Sequence, residues 1–193
     1  MKYVKILLLL LPIIALIVGC GGDEEEGTNY LPLSVGNEWN YDYTVTTTNP
    51  DTTMTGSWET EITAVTTLDN GTAVFEWVQA MTIETMLETD TSYFEETENY
   101  ILVYSSKGAT VPDTFLALPL EVGKTWGDYQ VLGQADVTVP AGTFNDCWEI
   151  LETLAGMSEY VYYYFAADVG IVKLLMTDTV GSSSLEVLYE LET

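Results

Sequence analysis

The reactive side chains of this sequence are mainly carboxylates, together with two thiols. The 193 residues include 30 Asp and Glu and two Cys, but no His and no Arg. Without His, neither a Ser-His-Asp triad nor a Cys-His pair can form, and the usual zinc and copper ligand is missing. The chemistry left to the chain is that of carboxylates, of a single cysteine, or of binding by apolar and aromatic surfaces.

Paired carboxylates are the catalytic groups of glycosidases, which use one as an acid and the other as a nucleophile. Most acidic residues here alternate with other residues along strand-like runs, as is the case for Glu59, Glu61, Glu186 and Glu190. A solvated strand face explains such positions better than a catalytic site does. We therefore expect a protein without enzymatic activity and without catalytic residues.

Calcium is the other common use of carboxylates, because hard cations prefer oxygen ligands. The chain contains no D-x-D-x-D-G loop, and its weak candidates are Asp69-Asn70-Gly71 and the group Glu95, Glu96 and Glu98. A turn explains the first candidate and a charged strand explains the second. We expect no cofactor and no tight metal site.

Cys20 ends an apolar N-terminal segment that begins with a basic region and continues from Ile6 to Val18. That stretch is short for a membrane span, which needs ~20 residues. Its ending, Ile17-Val18-Gly19-Cys20, resembles the lipoprotein box of bacteria. The resemblance implies a signal peptide over residues 1–19, lipidation of Cys20, and an acylated acidic tether over residues 20–28. Two or more acyl chains would hold the protein stably on a membrane.

The tether and the charge of the mature chain bear on location and partners. Gly21 stands where some Gram-negative lipoproteins carry an inner-membrane-retaining Asp, and the acidic run Asp23 to Glu26 resembles a signal for the outer face of the outer membrane. The resemblance implies a location in the cell envelope, with the outer membrane or the cell surface favoured. Three Lys and all 30 acidic residues follow residue 19, a formal charge of −27. Nucleic acid is therefore a very poor partner, whereas a membrane, a lipid, a glycan or an envelope protein stays open.

Alternating polarity predicts β-strands along most of the mature chain. Trp39 to Thr46 and Ser184 to Leu191 alternate with a period of two, and Asp69-Asn70-Gly71 predicts a hairpin because Asn-Gly accepts a type I′ turn. The expected fold class is all-β, an antiparallel and strongly curved sheet in the form of a half-barrel, a barrel or a sandwich. Lipidation of Cys20 leaves Cys147 alone, so this single domain over residues 29–193 must be stabilised by its core.

The sequence also makes four specific predictions about where strands, turns and helices begin and end. We expect one long strand from Thr72 to Leu87 that turns at Glu88-Thr89-Asp90, and a break at Gly133-Gln134. We expect a turn of helix from Thr114 to Leu118, and a strand from Glu159 to Ala166.

A nine-residue phrase occurs twice, and it suggests that the domain has two related halves. Residues 31–39 and residues 118–126 both read Leu-Pro-Leu-x-Val-Gly-x-x-Trp. We take the phrase as the opening of halves at about residues 29–117 and 118–193. Trp39 and Trp126 are then expected to be equivalent buried anchors, each at the start of a strand.

Tyrosines dominate the predicted strand from Glu159 to Ala166. Tyr160, Tyr162 and Tyr164 point to one side of it, and Val161, Tyr163 and Phe165 point to the other. A strand buried on both faces explains this pattern. A concave face lined with rings also explains it, and would make Tyr160, Tyr162 and Tyr164 candidate ligand-facing residues.

Two further phrases, together with the opening Leu-Pro-Leu-x-Val-Gly-Asn-x-Trp, resemble a family of uncharacterised bacterial lipoproteins. They are Val-Pro-Ala-Gly-Thr-Phe at residues 139–144 and Val-Gly-Ile-Val-Lys at residues 169–173. The resemblance covers most of residues 30–175. It implies an antiparallel β domain in the cell envelope and supplies no catalytic residues.

These observations favour a lipid-anchored envelope protein that binds an apolar or glycan ligand. The alternative is a surface lipoprotein with a structural or protein-interaction role.

Overall fold

The computed structural model of the protein describes residues 28–153, 159–180 and 183–192. Cys20, the predicted signal peptide and nearly all of the tether therefore lie outside the described residues. The described residues form twelve strands and no helix: β1 (Glu38–Thr47), β2 (Thr52–Thr67), β3 (Ala73–Ile83), β4 (Met86–Glu96), β5 (Tyr100–Tyr104), β6 (Asp113–Ala117), β7 (Thr125–Trp126), β8 (Tyr129–Val139), β9 (Gly142–Thr153), β10 (Glu159–Ala166), β11 (Gly170–Val180) and β12 (Ser183–Leu191).

The strands form one antiparallel sheet in the order β6-β5-β4-β3-β2-β1-β12-β11-β10-β9-β8-β7. The chain starts in the middle of the sheet, runs outward to β6, crosses to β7 at the other edge and returns to the middle. The sheet is nearly closed and barrel-shaped, with its seam between β6 and β7. The predicted all-β class with a strongly curved antiparallel sheet is confirmed.

The two central strands show why the alternating sequence folds in this way. Every second residue of β1 from Trp39 to Val45 is buried, and these residues face the interior of the barrel. Tyr41 pairs with Leu191 across the β1–β12 contact, and both are buried. Because strand side chains alternate between faces, this register places the apolar set of each strand on the same side of the sheet.

The β3–β4 hairpin turns earlier than the sequence suggested, so the expected turn at Glu88-Thr89-Asp90 is wrong. Ile83 pairs with Met86, and Glu84 takes a left-handed conformation with φ of 54°. A two-residue turn of this kind matches the twist of the flanking strands. Glu88, Thr89 and Asp90 consequently lie within β4.

Three other expectations are corrected, and two are confirmed. Residues 114–118 are not helical, because β6 pairs with β5. The expected break at Gly133-Gln134 is instead a continuous β8 that absorbs the irregularity in two bulges, one beside Gly133 and one before Val137. The hairpin at Asp69-Asn70-Gly71 forms, and β10 spans Glu159 to Ala166 as predicted. The expected type I′ turn is wrong, because only Gly71 and not Asn70 has a positive φ.

The two copies of the repeated phrase form the same loop. Gly36 and Gly123 both have a positive φ, near 90° and 84°, which only Gly adopts without strain. The Gly36 N–H donates to Ile62 O at 2.8 Å, and the Gly123 N–H donates to Val131 O at 2.9 Å. Each glycine thereby fixes its loop to the second strand after it, β2 for Gly36 and β8 for Gly123.

The copies differ in what comes after the loop. Trp39 is 5% exposed and lies on the ten-residue β1, whereas Trp126 is half-buried and ends the two-residue β7. Each therefore lies on a strand, but the two anchors are unequal in burial. That the two six-strand halves are copies of an internal repeat stays a prediction.

Aromatic rings fill much of the barrel interior and connect the two copies of the phrase. Each ring contacts the next with centroids 5.0 to 6.3 Å apart, in the order Trp39, Trp77, Phe94, Phe115, Tyr163, Tyr129 and Trp126. Ring contacts at these distances add to the free energy gained by burial. Phe115 lies on β6 and Tyr163 on β10, so the chain of rings packs across the seam.

Candidate functional site

The candidate residues Tyr160, Tyr162 and Tyr164 lie on the outer face of the barrel. Tyr160 is 43% exposed, and the other two are half-buried. Tyr164 Oη donates to Glu149 Oε1 at 3.0 Å, and burial raises the pKa of Tyr164 to about 12. Their neighbours Val161, Tyr163 and Phe165 belong to the core or pack against it, and Tyr164 also contacts the core, whereas Tyr160 and Tyr162 do not. The alternation along β10 is as expected, but these tyrosines face outward and not into the barrel.

A different group of rings lines a cleft on the inner face, which we name the ring cleft. It has a volume of about 380 Å³, and its lining residues are Trp58, Gln79, Met81, Glu88, Thr89, Asp90 and Tyr189. Four strands supply them. Trp58, Met81 and Glu88 are direct cross-strand neighbours on β2, β3 and β4, and Gln79 pairs with Asp90 one step further along.

The floor of the ring cleft is a set of rings held by one another. Trp58 meets the Tyr189 ring edge-on, with centroids 5.0 Å apart, and stacks on Tyr41 at 4.9 Å. Tyr41 is buried and its hydroxyl donates to Ile171 O at 2.8 Å, which fixes that ring in turn. Burial raises the pKa of Tyr189, so its hydroxyl is neutral at physiological pH. The floor is therefore rigid before any ligand binds.

The wall of the ring cleft is polar and acidic. Glu88 and Asp90 are exposed on β4, and Gln79 Nε2 donates to Asp90 Oδ2 at 3.4 Å. All three lysines of the described chain are engaged elsewhere: Lys107 with Glu76, Lys124 with Pro119 O, and Lys173 with Glu190. A ligand in the ring cleft would meet apolar rings on one side and hydrogen-bond acceptors on the other.

Sequence reasoning missed the ring cleft because it placed Glu88 and Asp90 in a turn. The signal that could have found it is Glu84-Thr85, two polar residues between the apolar Ile83 and Met86. With the turn at that position, Glu88 and Asp90 fall two residues apart on one strand and share a face.

The weak calcium candidates are not brought together. Glu95 Oε2 accepts a hydrogen bond from Tyr104 Oη at 2.6 Å, and this bond raises the pKa of Tyr104 to about 12. Glu96 and Glu98 instead line a separate cleft of about 480 Å³ beside Pro119. Within residues 28–153, 159–180 and 183–192, no group of three or more acidic or thiol side chains could hold a metal ion.

Comparisons with known proteins bear on the fold. No protein-family model matches the sequence, and no curated protein is detectably similar to it. A solved protein of Bacteroides fragilis, provisionally described as exported and as having a YmcC-like fold, is similar with a TM-score of 0.55 at 12% identity. That match covers 86% of this chain and 98% of the other.

A second solved structure shows a comparable likeness. It comes from Parabacteroides distasonis, is provisionally described as a lipoprotein, and matches with a TM-score of 0.52 at 15% identity. The match covers 87% of this chain and 99% of that one. At these identities the likeness establishes the fold alone. The described residues include no helix that is long and apolar enough to cross a membrane.

Proposed function

We propose that the protein is a lipid-anchored component of the cell envelope that binds a glycan in the ring cleft. The observation that carries this proposal is the combination of a rigid aromatic floor with an acidic wall in one half-open cavity. Small-molecule sites typically have this form, an apolar lining with a few polar groups that orient the ligand.

A glycan suits the ring cleft better than a wholly apolar molecule does. The Trp58 and Tyr189 rings offer flat apolar surface to the C–H face of a sugar ring, while Glu88, Asp90 and Gln79 can pair with its hydroxyl groups. An apolar ligand would leave these polar groups desolvated without a partner, which costs about 1–3 kcal/mol for each group.

Our proposal is binding without catalysis, and the placement of the acidic residues supports it. Glycosidases place their two carboxyl groups on opposite sides of the scissile bond. Glu88 and Asp90 instead stand side by side on β4, and the floor of the ring cleft carries Trp58 and Tyr189. The ring cleft therefore lacks a carboxyl group on the second side of a bound sugar.

The envelope location is supported by the N-terminal segment and by the comparisons. Residues 1–19 have the layout of a lipoprotein signal peptide that ends at Cys20. The two proteins with the same fold are described as exported and as a lipoprotein. Cys20→Ala should leave an uncleaved or soluble precursor in cell fractionation. A Cys20→Ala protein that is processed and retained on the membrane like the wild type would contradict the lipid anchor.

Isothermal titration calorimetry with a panel of soluble oligosaccharides, including amino-sugar, glucan and mannan oligomers, tests the ring cleft. Asp90→Asn should weaken the binding of the best oligosaccharide at least about tenfold, because a hydrogen bond to a charged group contributes ~1.5–3 kcal/mol. The matched control is Glu59→Gln, which removes the same charge from the exposed outer face of β2 beside Trp58. If both variants bind alike, or no oligosaccharide binds, the glycan proposal is wrong.

A protein-interaction role is the second candidate, and the edge of β4 favours it. β5 pairs with β4 only from Tyr93 to Glu96, so Met86 to Ser92 has β3 as its single described neighbour. Met86 and Leu87 on this edge are 70% and 67% exposed. Leu87→Lys should abolish capture of an envelope protein by an added strand. The equally exposed Val122→Lys should leave capture unchanged, and equal effects would count against this role.

A further inference from the structure

Four half-buried side chains form a continuous apolar row on the outside of the barrel, which we name the outer row. Leu151 on β9 pairs with Tyr162 on β10, Tyr162 pairs with Leu175 on β11, and Leu175 pairs with Leu188 on β12. None of the four belongs to the interior clusters or packs against them. The row is therefore an apolar feature that the core does not explain.

Two carboxylates next to the outer row have a hydrogen-bond or ion-pair partner, whereas Glu186, two residues before Leu188 on the same face of β12, is exposed. On the side of the row nearer the β10–β11 turn, Glu149 accepts the hydrogen bond from Tyr164, and Lys173 lies 3.9 Å from Glu190. One of the three lysines after residue 19 is thus used here. The ion pair of Glu190 and the hydrogen bond to Glu149 give these two carboxylates a partner, which reduces the cost of removing this part of the face from water.

The start of the described chain is tied to the same strands. Asp168, in the turn between β10 and β11, donates its N–H to Asn29 O at 2.7 Å, and its Oδ1 accepts from the Asn29 N–H at 3.3 Å. Tyr162 lies six residues along β10 from this turn, which is roughly 20 Å of strand. Cys20 lies nine residues before Asn29, and nine steps of fully extended chain span roughly 30 Å. An anchor at Cys20 can therefore reach the level of the outer row.

From these observations we infer that the outer row is a contact surface for the lipid bilayer, and that the barrel lies on its β9–β12 side. The inference rests on the proposed lipid anchor. Leu151, Leu175 and Leu188 would enter the boundary between headgroups and acyl chains, and the amphipathic rings of Tyr160, Tyr162 and Tyr164 suit the same depth. The anchor makes this weak contact intramolecular, so a modest apolar area is sufficient.

A fluorescence experiment on the full lipidated protein tests the inference. Leu188→Cys carries an environment-sensitive fluorophore on the outer row. Ser106→Cys carries it in the exposed loop between β5 and β6, on the other side of the barrel. Cys147 is fully buried and does not compete for the label. Each protein is bound to vesicles of phosphatidylcholine and phosphatidylethanolamine that contain spin-labelled lipid, and quenching is measured.

We expect the label at position 188 to be quenched several-fold more than the label at position 106. Leu151→Gln with Leu175→Gln should abolish this difference, while the protein still sediments with the vesicles. Equal quenching at both positions in sedimenting protein overturns the inference and leaves the anchor intact. Protection of position 188 on native membranes but not on vesicles assigns the face to a protein partner and also overturns it. Protein that fails to sediment refutes the anchor and the inference together.

Discussion

Replacing Trp39 tests whether it stabilises the barrel more than Trp126, the equivalent tryptophan of the second phrase. Trp39 is 5% exposed, stacks on Trp77 with centroids 5.0 Å apart, and donates from Nε1 to Val169 O at 2.6 Å. Truncation of a buried Trp to Ala costs about 3–5 kcal/mol. Because the Val169 carbonyl also loses its donor, we expect Trp39→Ala to cost about 4–5 kcal/mol.

Trp126 provides the matched comparison, because it occupies the same position in the second copy of the phrase. It is half-buried, and its Nε1 has no hydrogen-bond partner among the described residues. A buried donor without a partner destabilises the folded state by about 1–3 kcal/mol, and truncation relieves that cost. We therefore expect Trp126→Ala to cost only about 1–2 kcal/mol after this relief.

Urea unfolding followed by circular dichroism measures both changes. With a slope of ~2 kcal/mol/M, Trp39→Ala should lower the unfolding midpoint by roughly 2 M and Trp126→Ala by less than about 1 M. Trp39→Phe keeps a ring against Trp77 and loses the hydrogen bond, so its effect should fall between the two. Equal shifts for the two alanine variants, or a Phe variant as unstable as the Ala variant, would refute the assignment of Trp39 as the stronger anchor.

Three further predictions concern the backbone, the tyrosines and the surface charge. A Cβ at Gly56 would clash with the Thr82 carbonyl oxygen of β3, so Gly56→Ala should lower the free energy of unfolding by about 1–3 kcal/mol. Gly133→Ala is the control, because a Cβ there meets nothing within 4 Å, and thermal unfolding should show a smaller loss. Burial raises the pKa of Tyr129 and Tyr163, so the unfolded chain loses these hydroxyl protons at a lower pH than the folded protein does. The free energy of unfolding should therefore be at its full value below about pH 10 and decrease above it. Tyr129→Phe should make this decrease smaller, as measured by urea midpoints at several pH values. Calcium, magnesium and high sodium chloride should all raise the melting temperature slightly by screening the charge of −27, and a response to micromolar calcium alone would contradict the expected lack of a tight metal site.

The sequence predicted the fold class better than the positions of its turns, for a physical reason. A period of two marks a strand wherever one face is buried, and β1 and β12 show it clearly. On β4 the first five residues are all exposed, so no alternation of burial marked the start of the strand. The acidic residues Glu88 and Asp90 were therefore assigned to a turn, and the ring cleft was missed with them.

The site was less predictable than the fold, because register decides which side of a sheet a residue faces. The alternation on β10 was evident from the sequence, but nothing local indicated that Val161, Tyr163 and Phe165 would be the inner set. That choice depends on which face of β10 packs into the barrel interior, where the Tyr163 ring meets Phe115 of the distant strand β6. Local patterns cannot supply such information.

The pairing of β1 with β12 has a consequence for the order in which the barrel is completed. Every other strand pair joins strands consecutive in sequence, so those contacts can form locally and early. Tyr41 and Leu191 are 150 residues apart, and Tyr41 cannot find its β12 neighbour until the last strand is available. During transport across a membrane with the N-terminus first, the apolar side chains on the inner face of β1 would therefore remain exposed to solvent until translocation ends. We expect the period before closure to be the time at which this chain depends most on a periplasmic or extracellular chaperone.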